Sequence, residues 1–160
     1  MTREKTVCES RVEMAQIMLP MDANLAGNVH GGTIMKFIDT AAGIVALRHC
    51  RTNVVTASMD RLDFHEPVFV GELVIFRASI NYVGSTSMEV GVRVEAENLM
   101  TGEVRHTNSA YLTMVSLDEN RKPTLVPRIV PETEEEKRRF EEGRIRAQQR
   151  KALRKKRNKP

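Results

Sequence analysis

The chain of 160 residues and 18.1 kDa is long enough for one domain with an appendage. Aromatic residues make up only 4% of it and Trp is absent, so an aromatic platform for single-stranded nucleic acid is not expected. The formal net charge of +4 is unevenly distributed, because residues 132–160 hold 12 of the 25 basic and 6 of the 21 acidic residues. The basic character therefore belongs to the C-terminal tail, and the rest of the chain is slightly acidic.

The cysteine, histidine and N-terminal patterns predict a cytoplasmic protein without a metal site. The N-terminus is charged from its third residue and has no apolar stretch of the kind that a signal peptide needs. Cys8 and Cys50 stand in no metal-binding or redox spacing, which is typical of free thiols in a reducing compartment. His49, His65 and His106 form no ligand cluster with them.

The first elements along the chain are a strand and a long apolar helix. Residues 6–19 alternate loosely between polar and apolar types, which favours a strand that ends at Pro20. Between Thr33 and Leu47 apolar residues cover nearly the whole helical circumference, a pattern typical of a helix wrapped by other elements. The helix is too short and too interrupted to cross a bilayer, so no membrane span is predicted. Its central carboxylate, Asp39, must be paired, neutralised or functional.

Four strand-like segments joined by short turns follow the helix. They cover residues 53–61 with a continuation towards Phe64, then 72–83, 88–97 and 103–117. In the third of these, Val90 and its apolar neighbours at every second position form one face, and Glu89 belongs to the opposite, solvent-facing side. The order of elements predicts an α+β domain in which an antiparallel sheet packs on one helix.

The last part of the chain is predicted to lie outside this domain. Residues 121–131 contain three prolines and are interpreted as an extended linker. A helix is expected to begin at Thr133, since Thr133 and Glu136 have the spacing of a capping box. Its apolar residues are few, so we expect it to project from the domain and to fray towards its basic end. The predicted division is a domain at 1–131 and a helical tail at 132–160.

Several linked motifs carry a family resemblance. They are the segment NVHGG at 28–32, Asp39 on the following helix, RHC at 48–50, VTAS at 55–58 and FHEPV at 64–68. Together these motifs closely resemble the acyl-CoA thioesterases of the hotdog fold, a group that includes brain-type and small bacterial acyl-CoA hydrolases. The resemblance spans roughly residues 15–115, and the basic tail lies outside it. It implies an antiparallel sheet wrapped around one long central helix.

The resemblance also implies an activity and an assembly. Members of the group hydrolyse acyl-CoA to free CoA and a carboxylic acid, with coenzyme A entering only as part of the substrate and no other cofactor. Their protomers pair so that two sheets join, the active sites lie at that interface, and dimers assemble into trimers of dimers. Asp39 matches the acidic residue of the group, and Asn28 matches its asparagine ahead of the glycine pair.

Thioester hydrolysis gives each of these residues a chemical role. Asp39 is a candidate general base for water or a direct nucleophile, and Asn28 is its polar partner. Backbone N–H groups around His30, Gly31 and Gly32, at the start of the helix, are candidates for binding the oxyanion. Two structural interpretations stay open: an ion pair of Asp39 with Lys36 or Arg48, and a helix-capping role for the His30 side chain.

Candidates for the phosphates of CoA lie in turns and on strands. Ser85, Thr86 and Ser87 form a hairpin turn whose hydroxyls are suited to phosphate, and Arg93 and Lys122 carry the matching charge, as do Arg121 and Arg128. Each of these cations is also explained as a solvated surface charge. No serine has the Gly-x-Ser-x-Gly context of a nucleophile.

The sequence leaves three classes of function open. The first is the acyl-CoA thioesterase, and the second is a non-catalytic acyl-CoA-binding hotdog module, since one fold hosts binders as well as enzymes. The third is a protein that acts on nucleic acid through its basic tail, which the acidic domain disfavours. Retention of both Asn28 and Asp39 favours the enzyme, working as a homo-oligomer without a specific nucleic-acid partner.

Overall fold

The computed structural model describes residues 3–157, which form seven strands, two long helices and one short 3-10 helix. In chain order the elements are β1 Lys5–Thr6, β2 Val12–Ile17, the 3-10 turn Pro20–Asp22, α1 Gly31–Cys50, β3 Asn53–Phe64, β4 Leu73–Val83, β5 Ser87–Glu97, β6 Val104–Leu117, β7 Ile129–Val130 and α2 Glu134–Arg157. The predicted first strand is thus divided into β1 and β2. The four predicted strands after the helix are confirmed, with the first extended to Phe64.

The main sheet has five strands in the order β2-β4-β5-β6-β3, and all its neighbours are antiparallel. Strands β2 and β3 are therefore its edges within one chain. A separate parallel pair joins β1 to β7. The α+β class and the antiparallel sheet packed on one helix are confirmed.

Helix α1 lies across one face of this sheet. Its buried stripe consists of Ile34, Ile38, Ala41, Ala42, Val45, Ala46 and His49. These side chains meet the apolar face of the strands, and the partly buried Phe37 beside them packs on Phe76 with the ring centroids 5.5 Å apart. The opposite side of α1 still exposes Met35 and Leu47, so the sheet wraps one side of the helix only. No helix among residues 3–157 is long and apolar enough to span a membrane.

The segment at 121–131 is extended, as predicted, but it is not a free linker. Val126 and Ile129 are buried in the core. The Val126 N–H donates to the Ser85 carbonyl at 2.9 Å, and the buried His49 ring bonds the Pro127 carbonyl at 2.8 Å through Nε2. The prolines in the sequence predicted the extended backbone, but they gave no indication that the apolar side chains of this segment would be buried.

The prediction that the C-terminal helix projects from the domain is wrong. The capping box at its start is confirmed, since the Glu136 N–H donates to Thr133 Oγ1 at 3.1 Å and the Glu136 carboxylate accepts from the Thr133 N–H at 3.2 Å. Helix α2 then crosses the face of the sheet opposite to α1. The Phe140 ring packs on Tyr82 at a centroid distance of 5.2 Å, and Gly143 is buried. The helix runs to Arg157, and the rest of the predicted frayed end, 158–160, lies outside the described residues.

Glu89 explains why α2 packs although it has few apolar residues. The alternation of β5 is confirmed, but Glu89 is fully buried rather than solvent-facing. Arg146 of α2 binds both of its carboxylate oxygens, with the shortest N–O distance 2.6 Å, while Asn81 and Arg150 donate at 3.1 and 3.2 Å. Burial acts to raise the pKa of Glu89, but the hydrogen bonds from Arg146 and Asn81 hold this pKa below its usual range. A buried carboxylate needs such partners, so Glu89 and α2 depend on each other.

Replacing Gly143 by Ala tests this packing. In a solvated helix the change stabilises by about 1 kcal/mol, since Gly is a poor helix former. Here the new Cβ would lie 2.8 Å from Tyr82 Cβ and 3.2 Å from Glu89 Oε1. We expect Gly143→Ala to lower the free energy of urea unfolding by about 1–3 kcal/mol, the usual cost of overpacking. The exposed Gln148→Ala serves as control, and stabilisation by Gly143→Ala would contradict the packing of α2.

Candidate functional site

The start of α1 is closed by the His30 side chain. His30 is the N-cap residue, and its Nδ1 accepts a hydrogen bond from the Gly32 N–H at 2.9 Å. Of the interpretations of His30, the helix-capping role of its side chain is therefore the one that this contact supports. The cap occupies the Gly32 N–H, whereas the Gly31 N–H has no hydrogen-bond partner within residues 3–157. The His30 N–H donates to the Asp22 carbonyl at 2.7 Å, so of the three predicted oxyanion donors Gly31 is the one that is available.

A depression of about 270 Å³ adjoins this end of the helix. It is lined by Asn24, Asn28, Gly31, Ile34, Phe64 and Asn108, among others. A Cβ on Gly31 would lie 3.4 Å from Phe64 Cζ, so the glycine lets the aromatic ring close against the helix start. The segment ahead of the helix is fixed by the Val29 N–H, which donates to the Val68 carbonyl at 2.8 Å. The predicted residues Asn28 and Gly31 are thus brought together.

Asn24 is a second asparagine at this depression, and sequence reasoning missed it. Its backbone N–H donates to the Asn28 carbonyl at 2.7 Å, and its Oδ1 accepts from the Ala26 N–H at 2.9 Å. Both asparagines line the same depression from one loop. The signal available in the sequence was the spacing of four residues within the polar turn that precedes the glycine pair.

Asp39 lies in the middle of α1, on the side of the helix that the sheet leaves exposed. The Thr56 hydroxyl of β3 donates to Asp39 Oδ1 with the two oxygens 2.7 Å apart. The alternative ion pairs with Lys36 and Arg48 are absent from the described part of the chain, and Arg48 instead donates to the Arg11 carbonyl at 2.9 Å. Thr56 orients one carboxylate oxygen, and the other has no protein partner among residues 3–157.

One chain does not bring all the predicted catalytic residues together. Asp39 follows Gly31 by eight residues, which is about 12 Å along a helix that rises 1.5 Å per residue. Asn28 and Gly31 line the depression at the start of α1, and Asp39 is not among its lining residues. Within the described residues the candidate catalytic groups therefore lie in two separate places. One group is at the helix start, and the other consists of Asp39 and Thr56.

Strand β3 beside Asp39 is an open edge of 12 residues. An edge strand leaves one row of backbone N–H and C=O groups unpaired. Apolar side chains are exposed along the same side of the molecule: Val55, Phe64, Met35 and Leu47 are each between 41% and 53% exposed. Backbone hydrogen-bonding groups and apolar surface together make this edge suited to pairing with another strand.

The predicted CoA-binding residues fall into two places. The turn at Ser85, Thr86 and Ser87 is fixed through its backbone, because the Thr86 carbonyl accepts from the Ser116 N–H at 3.0 Å. Lys122 is exposed in the turn after β6, which returns beside the same end of the sheet through the Leu117–Pro123 bridge. Arg93 lies six residues beyond Ser87 along β5, about 20 Å away, where its Nε bonds Glu95 at 2.8 Å. The structure groups Lys122 with the turn and places Arg93 apart from both.

Among residues 3–157 there is no group of three His, Cys, Asp or Glu side chains placed to hold a metal ion.

A five-stranded antiparallel sheet packed around one long helix, with a histidine-capped glycine pair opening that helix, defines a hotdog-fold domain. Residues 26–103 match the family model described as the thioesterase superfamily. Together with the relatives below, this match shows that the chain belongs to the thioesterase superfamily.

The similar proteins are named for one substrate class. The chain is 43% identical over 151 residues to the cytosolic acyl coenzyme A thioester hydrolase of Rattus norvegicus, covering 93% of this chain and 40% of that protein. It is 46% identical over 136 residues to a Bacillus subtilis protein named as an uncharacterized acyl-CoA thioester hydrolase, covering 84% of this chain and 79% of the relative. A crystal structure of an apo hexameric acyl-CoA thioesterase superposes with a TM-score of 0.91 at 40% identity, covering 94% and 97% of the two chains. The chain thus spans less than half the length of the rat relative.

The capping role of His30 is tested by two substitutions. His30→Ala removes the acceptor for the Gly32 N–H and is expected to cost about 1 kcal/mol in the free energy of unfolding. His30→Asn supplies a short side chain that ranks among the best N-caps, so most of this loss should be recovered. Urea unfolding of both variants is the measurement. Equal losses in the two variants would show that the ring of His30 stabilises by some other contact.

Proposed function

We propose that this chain hydrolyses acyl-CoA thioesters, with Asp39 as the carboxylate that activates water or attacks the carbonyl. The observation that carries the proposal is the Asp39–Thr56 pair, in which one carboxylate oxygen is held at 2.7 Å and the other is open. The names of the relatives supply the substrate class. A carboxylate with one oriented and one open oxygen is suited to general-base or nucleophilic chemistry.

In the general-base route the open oxygen of Asp39 accepts a proton from water. The hydroxide equivalent forms a C–O bond to the thioester carbon, and the carbonyl electrons move onto oxygen to give the tetrahedral intermediate. Collapse of this intermediate breaks the C–S bond, and the proton held by Asp39 passes to the thiolate of CoA. The products are a carboxylic acid and free CoA, so water is the only co-reactant.

In the nucleophilic route the same carboxylate attacks the carbonyl carbon and expels the thiolate, leaving a mixed anhydride on Asp39. Water then hydrolyses the anhydride to the carboxylic acid and a protonated Asp39, and transfer of that proton to the thiolate of CoA returns the free carboxylate. Both routes develop negative charge on the carbonyl oxygen and need the same stabilising donors.

The donor proposed for that charge is the Gly31 N–H at the positive end of the α1 dipole, with Asn28 or Asn24 as the polar partner. Of the three candidate donors, Gly31 is the one whose N–H has no partner within residues 3–157, because the Gly32 N–H donates to the His30 ring and the His30 N–H donates to the Asp22 carbonyl. Since about 12 Å of helix separates Gly31 from Asp39, we propose that the two groups converge across a pair of β3 edges. The partner's Asn28 and the partner's Gly31 would then face Asp39, and the dimer would contain two equivalent sites.

We propose the turn at Ser85–Ser87, with Lys122, for the phosphates of CoA. The three hydroxyls make no side-chain hydrogen bond within the described residues, and Lys122 is exposed beside them. Arg93 lies on the sheet face opposite to α1, where it bonds Glu95. A phosphate contact by Arg93 would therefore require the ligand or a second copy of the chain to reach that face. We further propose a cytoplasmic homo-oligomer built from dimers as a trimer of dimers, with no resident cofactor. The hexameric assembly in the name of one structural relative supports this oligomer.

Asp39→Ala is expected to lower the rate of CoA release by roughly 100-fold or more, because it removes the base or nucleophile. Thiol release is measured on a panel of acyl-CoAs from short to long chains, with circular dichroism to verify folding. Glu103→Gln, which changes an exposed carboxylate in the β5–β6 turn, is the matched control and should keep full activity.

Full activity of a folded Asp39→Ala would show that Asp39 is a structural charge. A wild-type protein that binds acyl-CoA without releasing CoA would instead identify a binding module. The panel also measures which acyl-chain length is accepted.

A further inference from the structure

Strand β3 is irregular at the place where it supports Asp39. Its pairing with β6 shifts register between Thr56 and Ser58 and again between Met59 and Arg61, so Ala57 and Asp60 have no direct partner in the ladder. Such bulges bend a strand and re-aim its side chains. Thr56, the hydrogen-bond donor to Asp39, stands directly before the first of them. The position of its hydroxyl therefore depends on what fixes the bulged part of an edge strand.

Side-chain contacts fix this part of β3 where backbone pairing does not. Asp60 Oδ1 accepts from the Ser58 hydroxyl at 3.1 Å, and Oδ2 accepts from the Thr113 hydroxyl at 3.1 Å. Arg150 of α2 donates to the same Oδ2 through Nη1 at 2.9 Å. Asp60, an unpaired residue of the bulge, is thus tied both to β6 and to the helix on the outer face.

Arg150 is itself held by the most buried charge on that face. Its Nη1 lies 3.2 Å from Glu89 Oε2, and Glu89 is anchored on the central strand β5 by Arg146 and Asn81. The Arg146 guanidinium also stacks on Tyr111, with its carbon 4.0 Å from the ring centroid. A buried, multiply bonded carboxylate of this kind is costly to disturb. Arg150 therefore links a rigid centre of the sheet to the irregular edge that carries Thr56.

We propose that Arg150 is a positioning residue for Asp39, acting through Asp60 and the β3 bulge on the Thr56 hydroxyl. The inference rests on the proposed catalytic role of Asp39. Arg150 touches neither Asp39 nor Thr56, and its charge is directed to Asp60 and Glu89 on the other sheet face. Its effect on catalysis is geometric, since a displacement of about 1 Å at a reacting group can cost about 10²-fold in rate.

The test is a double-substitution cycle in the full chain. Thr56→Val, Arg150→Ala and the combined variant are compared with wild type for kcat and KM on one acyl-CoA that wild type hydrolyses. We expect Thr56→Val to lower kcat strongly and Arg150→Ala to lower it about tenfold, with KM changed less than about twofold, because substrate contacts are untouched. The combined variant should be no slower than Thr56→Val alone, since Arg150 acts only through Thr56.

Two further variants separate positioning from general stability. Arg144→Ala removes an arginine of the same helix that pairs only with Glu141 in the described chain, and it should leave kcat and KM unchanged. Asp60→Ala cuts the link to β3 while leaving Arg150 on Glu89, and it should reproduce the loss of kcat. If Arg150→Ala fails to fold in urea-unfolding measurements, Asp60→Ala decides the question.

The outcomes distinguish this inference from the function on which it rests. Loss of activity in Thr56→Val with unchanged kcat in Arg150→Ala or Asp60→Ala would overturn the positioning role and leave the proposed function intact. Additive losses in the combined variant would also overturn it, because Arg150 would then act by another route. Full activity of both Thr56→Val and Asp39→Ala would instead overturn the catalytic role proposed for Asp39, and a wild type that releases no CoA would remove the proposed function.

Discussion

Burial of one stripe of α1 against the sheet determines where the Asp39 carboxylate points. Ile34, Ile38 and Val45 are at most 2% exposed and lock the rotation of the helix. Each residue turns about 100° around a helix of 3.6 residues per turn, so Asp39 is carried away from the core directly after Ile38. It emerges beside β3, where Thr56 donates to it. Hydrophobic packing thus sets the position of a polar group that contributes nothing to the core.

The same constraint leaves each chain with two separate groups of candidate site residues. The open side of α1 and the edge strand β3 expose apolar residues together with unpaired backbone groups. Asp39 lies beside this edge, and Gly31 with its asparagines lies about 12 Å away at the helix start. An isologous pair of β3 edges would cover the apolar surface and supply each Asp39 with the partner's helix start. Stability and catalysis would then use the same contact.

Local patterns in the sequence predicted where the helices and strands lie, but they did not predict which surfaces of these elements are buried by other elements. Alternation located β5, and the capping-box spacing located the start of α2. The burial of Glu89 could not be predicted, because it depends on a helix more than 50 residues away whose arginines replace water. At the candidate site, the linked motifs pointed to Asp39 and the glycine pair, whose catalytic roles stay predictions. The contacts of Thr56 and Arg150 could not be predicted, since they depend on which strand lies beside α1 and where α2 crosses the sheet.

Complementation between two inactive variants tests most directly the claim that the site is assembled from two copies. Asp39→Ala would be co-expressed with a chain that carries Asn24→Ala and Asn28→Ala, and CoA release would be measured on the mixed oligomer. If the halves come from different protomers, each mixed dimer regains one intact site, and random pairing should restore about a quarter of wild-type activity. A mixture as inactive as its two parents, with mixed dimers verified by mass spectrometry, would contradict the shared site.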